Sequence, residues 1–347
     1  MKRNYSLDVI KLFLAYVIVL FHDDVWVPPG PTVTVQIFFV ISGYFLARKF
    51  YGSSHNDPEK RYGAWQYTLD HVRSLYPHYL LAAGLFLGYV LLRAMLSFFQ
   101  SPGWSGLWEM AVLIYDQLPD VLFLQSSYQY GANLNMPTWQ LSAMILGGYF
   151  VYALLCQNEK RARTILFPAA ILMIQSLLST GQDLFSAYGF FYMPLLRAFA
   201  PMCAGVLTYY FSTTEYYSAF RNRRVLFNVL AVSALPAMML FEDRNALHLL
   251  WSGLLVLGCM EPDTWLNRLL NRKCFAGCGK LSYVIYLNHA LLGRFHENIV
   301  KPLLVRLGAD MSPVLDRGVY LVMLTVFCLV LQWMMGYVCR SRIKTAV

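Results

Sequence analysis

Residues 6–24 read SLDVIKLFLAYVIVLFHDD. From Val9 to Phe21 every residue except Lys11 is apolar, so a helix here has no polar face to offer to water. Its length suits a hydrocarbon core of about 30 Å, which takes roughly 20 residues to cross. Working outward, comparable runs recur to the end of the chain. The reading is ten spans, at residues 8–26, 33–49, 75–98, 138–156, 164–180, 190–211, 225–241, 246–260, 281–299 and 318–338. The first run lacks a small-residue cleavage site and leads straight into further spans, so it reads as a span and not as a removable signal.

Composition agrees. Of 347 residues, 58% are hydrophobic and 14% charged, with a mean hydropathy of +0.46. Soluble domains carry about a quarter charged residues. The expected fold is therefore all-α, a polytopic membrane protein forming one domain over residues 1–347.

The formal charge is +9, and its distribution decides what it means. With the N-terminus in the cytoplasm, twenty of the 28 Lys and Arg fall on inside segments. The outer loops keep only Arg244, Lys301, Arg306 and Arg317. Lys11, Arg93, Arg197 and Arg294 lie within spans or at their ends. Such asymmetry follows the positive-inside rule. It places both termini in the cytoplasm and points to anionic lipid, not nucleic acid, as the partner of the basic residues.

Residues 99–137 are apolar but interrupted by Glu109, Asp116, Pro119 and Asp120. Acids and a proline make a full crossing costly, so an outer-face amphipathic or re-entrant segment is expected. The seven cysteines lie in spans or on inside segments, where no disulfide is expected. Cys274 and Cys278 stand four apart without a nearby His, so no metal site is expected from them.

Ionisable groups inside the membrane are expensive and need a reason. In the first span, Asp8 and Lys11 lie three residues apart on one face. Lys11 and His22, eleven residues apart, share a stripe with a rise of about 16 Å between them. Asp8 and Lys11 read either as a snorkelling interfacial pair or as part of a site, and His22 reads either as a helix terminus or as a base. Ser42-Gly43 in the second span reads as a packing notch or a nucleophile. Trp139, with Trp104, Tyr128 and Tyr130, could stack on a sugar or belong to an interfacial belt. His289 is a structural or a site-lining residue. His55, His78, His248 and His296 are expected in loops or at interfaces.

The order of motifs brings in a resemblance. Leu7-Asp8 followed by Lys11, ten residues and His22 resembles the first span of the acyltransferase 3 family of bacterial integral membrane acyltransferases. That family keeps an Arg where Lys11 stands. Phe38, Phe39, Ser42, Gly43 and Tyr44 are similar to its second-span signature. Arg73, Tyr76 and Pro77 resemble its Arg-rich entry into Leu-Tyr-Pro, although His71 and Ser74 stand where it usually has two arginines. Pro137, Trp139, Leu141 and Ser142 match another of its elements, as do Ser282, Tyr283, Tyr286, Leu287 and His289.

The resemblance implies an O-acyltransferase of the bacterial inner membrane. It would move an acyl group, usually acetyl, from cytoplasmic acetyl-CoA to a hydroxyl of an extracytoplasmic or lipid-linked sugar. No bound cofactor is implied. By the same token His22, Lys11 and Asp8 would be catalytic, Lys11, Arg73 and Ser42 would meet the acyl-CoA donor, and His289, Tyr283 and Trp139 would line the acceptor site. The alternatives are a transporter of lipid-linked sugar, against which no inverted repeat is visible, and a non-catalytic sensor, which the Lys11 substitution would favour.

Overall fold

The computed structural model describes residues 4–25, 27–28, 30–54, 63–100, 103–127, 135–181, 186–188, 191–240, 245–308 and 311–345. Each of the ten apolar runs is a helix, and the class is all-α as expected. In chain order the helices are α1 (Ser6–Phe21), α2 (Gly30–Ser54), α3 (Ala64–Gln100), α4 (Trp104–Tyr115) and α5 (Leu118–Val121). They continue with α6 (Trp139–Arg161), α7 (Phe167–Leu178), α8 (Met193–Ser212), α9 (Glu215–Asn222) and α10 (Arg224–Leu240). The last are α11 (Asn245–Met260), α12 (Trp265–Leu270), α13 (Cys278–Phe295), α14 (Lys301–Arg306) and α15 (Pro313–Thr345). A two-residue ladder, β1 (Ala187–Tyr188) with antiparallel β2 (Phe191–Tyr192), leads into α8. Nothing in the apolar periodicity announced it.

Four stretches among the described residues are long and apolar enough to cross a membrane by themselves: Gly30–Gly52, Ala64–Gln100, Met136–Leu178 and Pro313–Tyr337. Met136–Leu178 joins two of the expected runs, broken at Asn158, whose φ of −157° and ψ of 93° are not helical, and by a π turn at Ala162–Leu166. Both of its arms pack against α8. A fifth stretch, α9 with α10, qualifies only as a pair bent by 95°.

Coverage sorts these helices. Two thirds of the apolar window of α2 is buried, but only 11% of that of α3 and 17% of that of α15. Leu92, Leu96 and Phe99 on α3 and Val322, Val326 and Trp333 on α15 consequently face outward. In water an apolar surface of this extent would far exceed the patches a soluble monomer tolerates. The chain is a membrane protein, with α2 in its centre and α3 and α15 on its rim.

The interior rests on close backbone approaches. A Cβ on Gly43 of α2 would overlap the Met202 carbonyl of α8, and one on Gly205 of α8 would overlap the Val40 carbonyl. Between helices inside a membrane the driving force is packing and not water exclusion, so small residues decide how near the helices come. Gly43→Ala is expected to push α2 and α8 apart at a cost of about 1–3 kcal/mol, visible as a lower melting temperature of the detergent-purified protein. A wild-type melting temperature would count against this contact.

The segment after α3 is anchored from within. Tyr79 donates to the Asp120 carbonyl at 2.7 Å, Gln125 Nε2 donates to Tyr79 Oη at 2.6 Å, and Ser142 Oγ donates to the Phe123 carbonyl at 2.6 Å. Ser142 thereby ties this segment to α6. α4 buries none of its residues, and Trp104, Trp108 and Tyr115 stand exposed on it. At twelve residues it rises about 18 Å, too short to cross.

Candidate active site

α1 packs against α13 and α2, and it carries Lys11 near one end and His22 just past the other. Its helical geometry runs to Phe21, and the His22 amide bonds the Ile18 carbonyl at 3.1 Å. The predicted separation of about 16 Å along the axis therefore stands.

At the Lys11 end lies a cavity of about 410 Å³. From α3 it is lined by His71, Ser74, Leu75 and His78, positions spaced three and four apart and hence on one helix face. From α2 come Phe38, Ile41 and Ser42, and from α13 Gly279, Lys280, Ser282, Tyr283 and Tyr286. Lys11 Nζ sits 5.4 Å from the Phe45 ring centre, within cation–π range. Ser42 Oγ donates to the Phe38 carbonyl at 2.9 Å, the back-bond of a helical serine. Its neighbour Gly43 makes the packing notch. Tyr283 Oη donates to the Leu75 carbonyl at 3.1 Å, holding α13 to α3. The carboxylate of Asp8 lies against Gly279, where any Cβ would overlap it. It thus sits at the first turn of α13, where a negative charge is favoured by the helix dipole.

His22 belongs to a second cavity, of about 290 Å³, with Thr32, Gln36, Trp139, Gln140, Arg197 and Tyr286 among its walls. The His22 and His289 rings stand 5.2 Å apart. His289 is 1% exposed, and its Nδ1 lies 2.7 Å from the Tyr286 carbonyl. A carbonyl only accepts, so Nδ1 holds the proton and Nε2 presents a lone pair. Nε2 has no hydrogen-bond partner among the described residues. Trp139 is buried and meets Phe39 edge to face, which fits a cavity wall and not an interfacial belt.

Gln140 and Tyr286 line both cavities. Tyr286 Oη donates to the Pro137 carbonyl, fixing the ring across the boundary. A third, wider cavity of about 720 Å³ borders the His22 end, lined by Asp23, Asp24, Glu297, Lys301, Asp316 and Arg317 among others. Asp23, the residue after His22, pairs there with Arg317 at 3.3 Å.

The sequence-derived candidates thus divide into two groups. Lys11, Ser42 and Tyr283 meet in the first cavity, with Asp8 behind Gly279. His22 and Trp139 meet in the second, with His289 packed against His22. Tyr283 falls on the Lys11 side, apart from the other two expected acceptor residues. Arg73 lines neither cavity. Its side chain is 76% exposed and 3.9 Å from Asp70, because one residue of helix turns it about 100° away from the His71–Ser74 stripe.

The motifs do not single out Gln140, Lys280, His78 or Arg197, all of which line a cavity. Lys280 is one of the twenty basic residues assigned to inside segments, and His78 one of the four histidines expected in loops or at interfaces. The spacing 71, 74, 75, 78 would have revealed the α3 stripe. His248 and His296, expected in loops or at interfaces, are both buried; His296 lies 3.3 Å from Asp316 and against the Tyr320 ring. His55, Tyr128 and Tyr130 lie outside the described residues. His296, Glu297 and Asp316 place ligand atoms within 4.8 Å of one another. Lys301 Nζ already sits between the two carboxylates, at 3.0 Å from Glu297 and 3.2 Å from Asp316.

Chemically, the arrangement sets a cationic recess against one wall and an imidazole behind the opposite side of that wall. A membrane protein with this division can bring two reactants to one boundary from two sides. The chain matches the acyltransferase 3 family, described as an acyltransferase domain, over residues 4–333. It belongs to that family and is a membrane acyltransferase. No curated protein and no solved structure matches it.

Proposed function

We propose that this chain transfers an acyl group, most simply acetyl, from a cytoplasmic acyl-CoA to a hydroxyl of an extracytoplasmic or lipid-linked sugar, in the bacterial inner membrane. Ten spans with both termini in the cytoplasm put the Lys11 cavity inside and His22 toward the outer face. The observation that carries this reading is the shared wall: Gln140 and Tyr286 face the Lys11 cavity on one side and the His22 cavity on the other.

The extended arm of acyl-CoA enters past Lys280 and Lys11, whose charges suit phosphate and carbonyl oxygens. His71 and Ser74 line the same mouth, standing where the family usually keeps arginines. The acyl thioester then reaches the wall. His22 accepts the proton of the sugar hydroxyl as its oxygen attacks the thioester carbonyl. The C–S bond breaks, the new ester C–O bond remains, and the coenzyme A thiolate leaves with the proton returned from His22. Asp8 acts as a positioning residue, holding the start of α1 to α13 so that Lys11 faces the donor.

Mass spectrometry of surface glycans from cells with and without the chain tests this. Acetyl transfer adds ~42 Da to one glycan unit, as replacing a hydroxyl hydrogen by acetyl requires. Labelled acetyl-CoA gives the same answer in membranes. If glycans are identical with and without the chain, and label from acetyl-CoA enters neither glycan nor free acetate, the acyltransfer reading fails in favour of a transporter or sensor.

A further inference from the structure

An acyl transfer needs more than a base. When a hydroxyl oxygen adds to a thioester carbonyl, the C=O electron pair moves onto oxygen, and that charge needs a fixed hydrogen-bond donor where it develops. It arises at the boundary of the two cavities, because the thioester comes from one and the hydroxyl from the other. Of these two cavities, Lys11 and Lys280 line only the first, and Arg197 only the second. Gln140 and Tyr286 line both. Tyr286 has one hydroxyl proton and donates it to the Pro137 carbonyl. Gln140 carries two N–H donors on one amide nitrogen, so it can give one to a ligand whatever the other meets.

Gln140 also stands where α6 passes from one cavity to the other. Pro137 and Trp139, before it, line the His22 cavity, and Leu141 and Met144, after it, line the Lys11 cavity. This turn is braced from outside the helix. Ser126 Oγ donates to the Trp139 carbonyl at 2.8 Å, and the Ser126 N–H donates to Ser142 Oγ at 3.0 Å. Gln140 is 7% exposed, and a donor acts more strongly where little water competes. Braced and buried, it is preorganised for a transient charge.

We infer that Gln140 is a catalytic residue, the donor that stabilises the oxyanion of the transfer. The inference rests on the acyl transfer proposed above taking place at the shared wall. As the new C–O bond forms and His22 takes the proton, the carbonyl electron pair becomes an oxyanion that accepts from Gln140 Nε2. The pair then re-forms the carbonyl, the C–S bond breaks, and the thiolate leaves with the proton held by His22. The donor meets the neutral carbonyl weakly and the oxyanion strongly, so it speeds the chemical step and adds little to substrate binding.

The test is the initial rate at which label from radiolabelled acetyl-CoA enters glycan, in membranes of cells carrying the full chain. Gln140→Met and Gln140→Leu fill about the same space without an N–H. Each is expected to lower the rate at saturating acetyl-CoA by about 10²–10³-fold, the usual cost of one oxyanion donor. The KM for acetyl-CoA should stay near wild type, which a residue that merely shapes the wall would not ensure. Coenzyme A binding by the detergent-purified variants shows them folded, and if one fails to bind, the other decides. A folded variant that keeps more than about a third of the wild-type rate, or whose loss disappears at saturating acetyl-CoA, overturns the inference and leaves the acyl-transfer reading standing. No label in glycan even with the wild type strikes that reading itself, and this inference with it.

Discussion

His22→Ala is expected to lower acyl transfer by about 10²–10⁴-fold, the usual contribution of a positioned general base. A sugar hydroxyl is a poor nucleophile at neutral pH, and His22 is the imidazole that faces the cavity on the far side of the wall from Lys11. His289, 5.2 Å away ring to ring, cannot take over. Its Nε2 presents a lone pair, but the ring is 1% exposed, packed behind the cavity and absent from its lining. The loss should fall on kcat, because His22 lies outside the donor cavity. Donor KM and coenzyme A binding should stay near wild type. His22→Gln separates the roles: glutamine can hydrogen-bond a hydroxyl but cannot carry its proton, so it should be nearly as slow as alanine. Transfer above about a tenth of wild type in His22→Ala, well short of the expected range, would remove His22 from the chemistry.

The division of the site was partly legible before any coordinates. Lys11 and His22 share a face of one helix by spacing alone, and the apolar runs announced each long helix. Helix ends were less well read. α3 begins at Ala64, ahead of the span expected from residue 75, because its first turns carry polar side chains that a hydropathy reading discards. Arg73 resembles a donor ligand by motif, but rotation around α3 turns it away from the cavity that His71 and Ser74 line. The wall itself was out of reach. Gln140 and Tyr286 lie 146 positions apart by their numbers, and nothing local in either segment says that α6 and α13 meet. Arg197 is visible in the sequence as a charge at the end of a span, but that α8 sets it on the same cavity as His22 and Gln36 is not.

Lys11→Met is expected to raise the donor KM by about 10–150-fold, the equivalent of losing one hydrogen bond to a charged group, about 1.5–3 kcal/mol. Methionine keeps an unbranched stem of similar length over Phe45, on which Lys11 rests, so the substitution removes charge and little packing. Lys280, on the same cavity, sustains part of the attraction, and for that reason binding should weaken and not vanish. Lys11→Arg is the complementary variant. It restores the planar fork that the family favours at this position, and a fork meets phosphate or carbonyl oxygens with two hydrogen bonds where an ammonium offers a point charge. Donor affinity in Lys11→Arg should therefore equal or exceed wild type, with His22-dependent kcat unchanged. The pair of variants also discriminates against the bland alternative, in which Lys11 only snorkels at the interface. A snorkelling lysine would tolerate methionine with some loss of stability, but it would leave donor KM untouched. Wild-type donor affinity in a well-folded Lys11→Met protein would therefore reduce Lys11 to an anchor and move donor recognition to Lys280, His71 and Ser74.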